Sequence, residues 1–173
     1  MIEVTELLCL RPLTLAEAKA ISDGKRSLVW ASDYPQVQDV EIASYLLRQV
    51  DSRWPSQSQF QIVDRGLKQV IGGIGYWKRT RSREMEIGYA VVPSRRNTGV
   101  ATDVLIAMAT KLRIDFPKLG LYLKVEQKNE ASLATAAKAG FSEVSLDLDM
   151  CTLILRQPKI KSKDHPIASS SSD

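Results

Sequence analysis

The sequence predicts a mixed α+β domain: one mostly antiparallel central sheet of about seven strands flanked by about four helices. Three observations predict it. Apolar residues recur at helical spacing in some stretches and at strand spacing in others. Proline and glycine fall at the borders between those stretches. The resulting order is strand, two helices, three strands, helix, strand, helix, two strands, with no internal repeat and no linker inside residues 1–156.

Glu3 to Leu13 has β-branched and leucine content, ends at a proline, and reads as a first strand. Thr14-Leu15-Ala16-Glu17 is a capping-box pattern that opens a short helix ending near Gly24. Trp30 to Pro35 loses periodicity and reads as a loop. Val40, Ile42, Leu46, Leu47 and Val50 then recur at helical spacing, so a second helix runs up to Trp54-Pro55. Gln59 to Val63 and Gln69 to Trp77 read as strands. Gly72, Gly73 and Gly75 inside the latter imply a bulge or a close backbone neighbour. Lys78 to Arg83 is a basic hairpin loop, and Glu84 to Val92 is a strand closed by Pro93. Thr98 to Phe116 carries Val100, Val104, Leu105, Met108 and Leu112 on one helical stripe. Leu121 to Val125 is a strand. Asn129 to Ala139 is an alanine-rich helix ended by Gly140, and Phe141 to Leu146 and Met150 to Leu155 close the sheet. Residues 157–173 form a polar, low-complexity tail expected to be disordered.

Composition narrows the chemistry. The chain has 173 residues, 44% hydrophobic and 25% charged, enough for one domain with a real core. No uncharged apolar run reaches the ~18 residues of a membrane span. The start, Met1 to Glu6, carries acids where a signal peptide carries lysines or arginines. A soluble, cytoplasmic protein is expected, acting as monomer or homodimer, with no membrane partner. Cys9 and Cys151 sit singly among apolar residues and read as buried thiols. His165, the one histidine, lies in the tail, so a Ser-His-Asp set and a metal site are not expected. The net charge is +4, of which +3 falls outside the tail. A mildly basic body suits an anionic ligand, and no nucleic-acid signature accompanies it.

The most informative stretch is Val91-Val92-Pro93-Ser94-Arg95-Arg96-Asn97-Thr98-Gly99-Val100-Ala101. A buried strand ends at a proline, a short loop with arginine and glycine follows, and a long amphipathic helix begins. The first amides of a helix lack internal acceptors, and its dipole makes that end positive, so an anion docks there. Gly99 removes a Cβ that would obstruct a phosphate, and Ala101 keeps the next turn slim. A plain strand–loop–helix connection is the competing reading of this stretch taken alone.

Arg96-Asn97-Thr98-Gly99-Val100-Ala101 resembles the Q/R-x-x-G-x-G/A signature of the GNAT superfamily of N-acetyltransferases. Glu86 to Pro93 resembles that family's central strand. Asn129-Glu130-Ala131-Ser132, leading to Lys138-Ala139-Gly140-Phe141, resembles its second motif. The order of elements agrees over residues 1 to 156, and the Rim-type N-terminal acetyltransferases (ribosomal-protein N-terminal acetyltransferase-like), with their relatives acting on small amines, are the most similar subgroup. The resemblance implies acetyl-CoA as co-substrate and direct transfer to a primary amine, on a small molecule or a protein N-terminus. It implies that the amides of Arg96, Asn97, Thr98, Gly99, Val100 and Ala101 hold the pyrophosphate. The backbone of Ala90, Val91 and Val92 would pair with the pantetheine arm. An amide near Val92 would polarise the thioester carbonyl. Asn129 and Ser132 would face the cofactor from the first turn of one helix.

Transfer needs a neutral amine and a protonated leaving thiolate. Glu86 is the candidate base, directly or through water; a solvent-facing or arginine-paired carboxylate is the other reading. The family's tyrosine position, four residues before the motif glycine, holds Ala136 here. Ser132 is the candidate replacement acid, with helix capping as its alternative, and Tyr89 and Tyr122 are further options. Trp30, Asp33 and Tyr34, in the segment where the family builds its acceptor pocket, are the candidate substrate-binding residues, able to receive a cationic amine. The alternative function is a non-catalytic acetyl-CoA-binding module, which the missing tyrosine favours.

Overall fold

The computed structural model describes residues 1–48, 58–78 and 83–155. The expected ends at Val50, Trp54 and Pro55, the hairpin tip at 79–82 and the tail lie outside these residues.

The chain opens with strands β1 (Ile2–Glu3) and β2 (Leu8–Pro12). The expected single strand over Glu3–Leu13 is thus two, because the Thr5 hydroxyl and carbonyl both accept from the Leu8 amide and turn the chain back on itself. β1 then pairs antiparallel with β2, Ile2 opposite Leu10. Helix α1 (Leu15–Ser22) starts on the expected capping box. Thr14 accepts from the Glu17 amide, and Glu17 accepts from the Thr14 amide. Helix α2 (Val37–Arg48) follows, and its buried stripe is Asp39, Ala43 and Leu46. Strands β3 (Gln59–Asp64), β4 (Gln69–Lys78) and β5 (Glu84–Val91) lead to helix α3 (Val100–Asp115). β6 (Gly120–Glu126), helix α4 (Glu130–Lys138), β7 (Phe141–Asp147) and β8 (Met150–Leu155) complete the order.

The sheet has eight strands in the order β1-β2-β3-β4-β5-β6-β8-β7. Named strands pair antiparallel except β5 with β6. The irregularity expected from the glycines of β4 falls where the register slips between Ile62 and Val63.

Alternation gives the sheet two faces with different contents. On one, Leu10, Ile62, Ile74 and Ile87 are fully buried, and so are Val104, Leu105, Met108 and Leu112 of the stripe on α3. Each contributes about 1.5–3 kcal/mol by leaving water. Phe116, at the end of α3, meets Tyr76 of β4 on this side, with ring centroids 6.4 Å apart. The other face lies under α1 and α2 and is polar. Arg11, Gln61, Gly73 and Ala90 form one cross-strand row on it. Arg11 donates to Glu17 of α1 at 2.5 Å and to Gln61 at 2.6 Å. Cys9 and Cys151 are buried free thiols, as expected. No helix among the described residues is long and apolar enough to cross a membrane.

Candidate active site

After β5 the chain makes a 3-10 turn over Pro93–Arg95 and enters α3 through two left-handed residues, Asn97 (φ 60°) and Gly99 (φ 87°). Thr98 Oγ1 donates to the Arg95 carbonyl at 2.7 Å and closes the loop. Gly99 is the N-cap of α3, so its carbonyl accepts from the Asp103 amide at 3.1 Å. The amides of Val100, Ala101 and Thr102 then have no acceptor within the helix. A Cβ on Gly99 would meet nothing nearer than Asp103 at 4.0 Å. Glycine is favoured here by the backbone angle, not by crowding from protein atoms.

β5 and β6 are in register only over Glu84–Gly120, Met85–Leu121 and Glu86–Tyr122. Beyond that point β6 continues along β8 to Glu126, while β5 continues along β4 to Val91, and the two strands splay. The Val92 amide donates to the Ile71 carbonyl of β4 at 3.0 Å. Antiparallel pairing turns alternate residues toward the partner strand. Ala90 and Gly88 therefore also face β4, and the amides of Tyr89 and Val91 point into the splay. The sequence placed the polarising amide near Val92; that amide is engaged, and its neighbours on the opposite alternation are the open ones.

The splay widens into a cleft of about 560 Å³ running from β5 to the starts of α3 and α4. Of the expected cofactor residues, Ala90, Val91, Arg96, Asn97, Gly99, Val100, Ala101, Asn129 and Ser132 line it. Thr98, which is exposed, and Val92, which is buried, do not line it. Arg96 is exposed and its Nε donates to the Val91 carbonyl at 3.2 Å, which aims the guanidinium along the cleft mouth. Arg95 forms an ion pair with the buried Asp64 instead. Asn129 caps α4 by accepting from the Ser132 amide at 3.1 Å. Thr135 and Lys138 also line the cleft and escaped the sequence reading, although they continue from Ser132 at three-residue steps along the same helix face.

Tyr89 and Tyr122 both bear on the site. Tyr122 Oη donates to Glu86 Oε2 at 2.7 Å, just where β5 and β6 part. Glu86 is half-buried and meets a phenol there. On the opposite side of the sheet, Tyr89 crosses the cleft to α4, its hydroxyl 3.5 Å from the Ser132 carbonyl. Burial pushes the Tyr89 phenol up, partly offset by Ser132 and Thr135. Ala136 is fully buried.

The three candidate substrate residues sit behind the site. Trp30 and Tyr34 are buried and packed edge-to-face, centroids 5.4 Å apart, so they offer no open ring to a cation. Desolvation opposes the charge of Asp33, but the amide and hydroxyl of Ser94, with Arg26 nearby, hold its carboxyl below the ordinary value. Those bonds, 2.9 and 3.1 Å, tie the α1–α2 loop to the turn after β5. Sequence reasoning missed a different acid. Asp39 of α2 is 6% exposed, and its Oδ2 accepts from the Gln36 amide at 2.9 Å. A Cβ on Gly73 would lie 2.7 Å from its Oδ1, and one on Gly75 would lie 1.9 Å from Gln59 Oε1. These glycines make room for polar side chains above the sheet. Burial pushes the Asp39 carboxyl up to about 6, with the Gln36 amide opposing it.

A wedge between two parallel strands, with open amides along one wall and two helix starts at its mouth, suits an extended, phosphate-bearing ligand. The chain belongs to the GNAT acetyltransferases: residues 8–142 match the acetyltransferase (GNAT) domain family. No curated protein matches it. Among solved structures it is similar in fold to an acetyltransferase from Agrobacterium tumefaciens (TM-score 0.66, 20% identity, 91% of this chain and 95% of that one). It is similar also to RimL, a ribosomal-protein α-N-acetyltransferase in complex with coenzyme A (0.64, 16%, 90% and 96%). A chimeric spermidine N-acetyltransferase from Vibrio cholerae shares the fold as well (0.61, 17%, 87% and 95%). Enzymes of this family use acetyl-CoA.

Proposed function

We propose that this chain transfers the acetyl group of acetyl-CoA directly to a primary amine, on a small molecule or a protein N-terminus. The observation that carries the reading is the splay of β5 from β6, with the Tyr89 and Val91 amides turned into it. The wedge suits the donor. Arg96, Lys138 and the free amides of α3 meet the phosphates, and the β5 edge pairs with the amides of the pantetheine arm. One open amide of β5 donates to the thioester oxygen and stabilises the charge it gains during attack.

The amine nitrogen attacks the thioester carbon, an N–C bond forms, and the C–S bond breaks. Glu86, held by Tyr122, takes the proton that the amine sheds, directly or through water. The departing thiolate takes a proton from the Ser132 hydroxyl or from Tyr89, both on the wall of the cleft. Trp30, Asp33 and Tyr34 serve acceptor binding as the scaffold of the groove.

Ala136, in place of the family's tyrosine, favours a second reading, a module that binds acetyl-CoA without turnover. Calorimetry with acetyl-CoA, followed by thiol release over a panel of primary amines, separates the two. Binding with thiol release and an acetylated amine supports transfer, binding alone supports the module, and no binding at millimolar acetyl-CoA removes both.

A further inference from the structure

The polar face under α2 contains a carboxylate that the fold leaves half-satisfied. Asp39 sits in the first turn of α2, more than nine-tenths buried, and among the described residues its hydrogen-bond donor is one backbone amide, that of Gln36, on Oδ2. Its Oδ1 projects over Gly73, into the space a Cβ would take. Gly73 is paired with Ala90 of β5, which lines the cofactor cleft. Gln38, the residue before Asp39, lines the same cleft. The carboxylate therefore stands one residue behind the cleft wall, on the sheet face that also carries Glu86. In the adjoining strand, Gln61 is paired with Gly73, and its side chain faces the buried Tyr34 phenol. Buried polar atoms are ordinarily paired, and a buried carboxylate left without a cation is costly.

We infer that Asp39 is the anchor for the positively charged amino group of the acceptor, which docks as an ammonium between Asp39 and the β5 wall at Ala90. This rests on the amine-transfer reading and deepens it, since it assigns acceptor recognition to the underside of α2 rather than to Asp33. The ammonium supplies hydrogens to Oδ1, and the proton it sheds before attack passes through water to Glu86, four residues along the same face of β5. Alcohols and acylated amines, which bring no cation, are rejected at this point.

The competing role for Asp39 is that of a helix cap. Asp39→Asn separates the two, because the amide oxygen still accepts from Gln36 while the charge is gone. Gly73→Ala is the complementary variant, since it keeps the charge but displaces the carboxylate. Calorimetry on the protein saturated with coenzyme A reads binding of n-butylamine, spermidine and a hexapeptide with a free N-terminus, with n-butanol and the N-acetylated peptide as neutral controls. We expect at least one of the cations to bind and its neutral counterpart not to. In Asp39→Asn, cation affinity falls about 10- to 100-fold, the scale of losing a hydrogen bond to a charged group, with coenzyme A affinity unchanged. Gly73→Ala loses cation affinity in the same direction, and KM for the amine rises by the same factor where turnover is measured. Unchanged cation affinity in Asp39→Asn, an equal loss of coenzyme A affinity, or no cation binding to the wild type overturns the proposal. Charge-dependent cation binding without acetyl transfer leaves the anchor standing and removes the transferase reading. Transfer with an unaltered KM in Asp39→Asn does the reverse.

Discussion

The two sides of the reaction centre are built from different materials. The proposed cofactor cleft is made of backbone: open amides on β5, a left-handed glycine, and two helix starts, supplied by one stretch from Tyr89 to Thr102 and one from Asn129 to Lys138. The proposed acceptor face is made of side chains brought together from β2, α2, β3 and β5, namely Arg11, Asp39, Gln59, Gln61 and Glu86. Backbone geometry suits what every acetyl-CoA shares, its phosphates and amides. Scattered side chains can be exchanged one at a time without disturbing the sheet, so they are the natural seat of acceptor choice.

That division can be broken from either side. The largest effect is expected at Gly99. Glutamate there combines a positive φ, tolerated poorly by any side chain, with a negative charge at the phosphate seat. Acetyl-CoA binding should fall beyond detection by calorimetry, while cation binding on the α2 face survives and circular dichroism remains that of the folded protein. Normal acetyl-CoA affinity in a folded Gly99→Glu protein would place the phosphates elsewhere. Next comes Glu86→Gln, which still accepts the bond from Tyr122 and leaves acetyl-CoA affinity intact. Its kcat should drop at least ~100-fold near neutral pH, the lower end of what a positioned base contributes. Partial recovery at high pH is expected, where the amine loses its proton in solution. Turnover equal to the parent across the pH range would strip Glu86 of the role.

Asp39 offers a sharper distinction, because function and stability pull in opposite directions there. Its carboxyl titrates near 6 in the folded protein against an ordinary 3.8. Between those values the folded state holds the proton more tightly than the unfolded one. Stability therefore falls as pH rises through that window, by about 3 kcal/mol at most. Tyr34, facing Asp39 from the preceding loop, stays neutral throughout because burial, then the charge of Asp39 itself, pushes its phenol up. Asp39→Asn should be more stable than the parent at pH 7 and nearly equal to it at pH 4, read as thermal midpoints. A variant less stable at both pH values would make Asp39 a structural cap. The smallest expected effect lies outside both halves. Thr14→Ala removes the side chain of a capping box and should cost about 1 kcal/mol, leaving acetyl-CoA affinity and KM untouched.

The same division explains what the sequence revealed. The α3 stripe, the Thr14–Glu17 box and the loop through Gly99 are local patterns, so each was readable from its own neighbours. The doubled first strand was not, because a threonine hydroxyl on the Leu8 amide decides it. Asp39 was passed over because an acid in the first turn of a helix ordinarily answers the dipole in solvent. Nothing near it in sequence says that Gly73, thirty-odd residues later, will open a seat for its carboxylate. Conversely, Trp30 and Tyr34 looked like ligand-facing aromatics, yet large rings fill a core at least as well as they line a pocket.

The pairing of β5 with β6 over only three residue pairs has a mechanical meaning. The sheet consists of two leaves, β1–β5 and β6–β8, sewn together along a seam from Glu84 to Glu86. α3 leans on the first leaf and α4 on the second. A rigid rod pushed into the gap beyond the seam presses on both leaves at once, so an occupant of the wedge is also a strut. Stiffness across the molecule should then depend on whether that strut is in place. Amide hydrogen exchange at Tyr89 and Val91 would slow when it is, because the open edge of the first leaf has gained a partner.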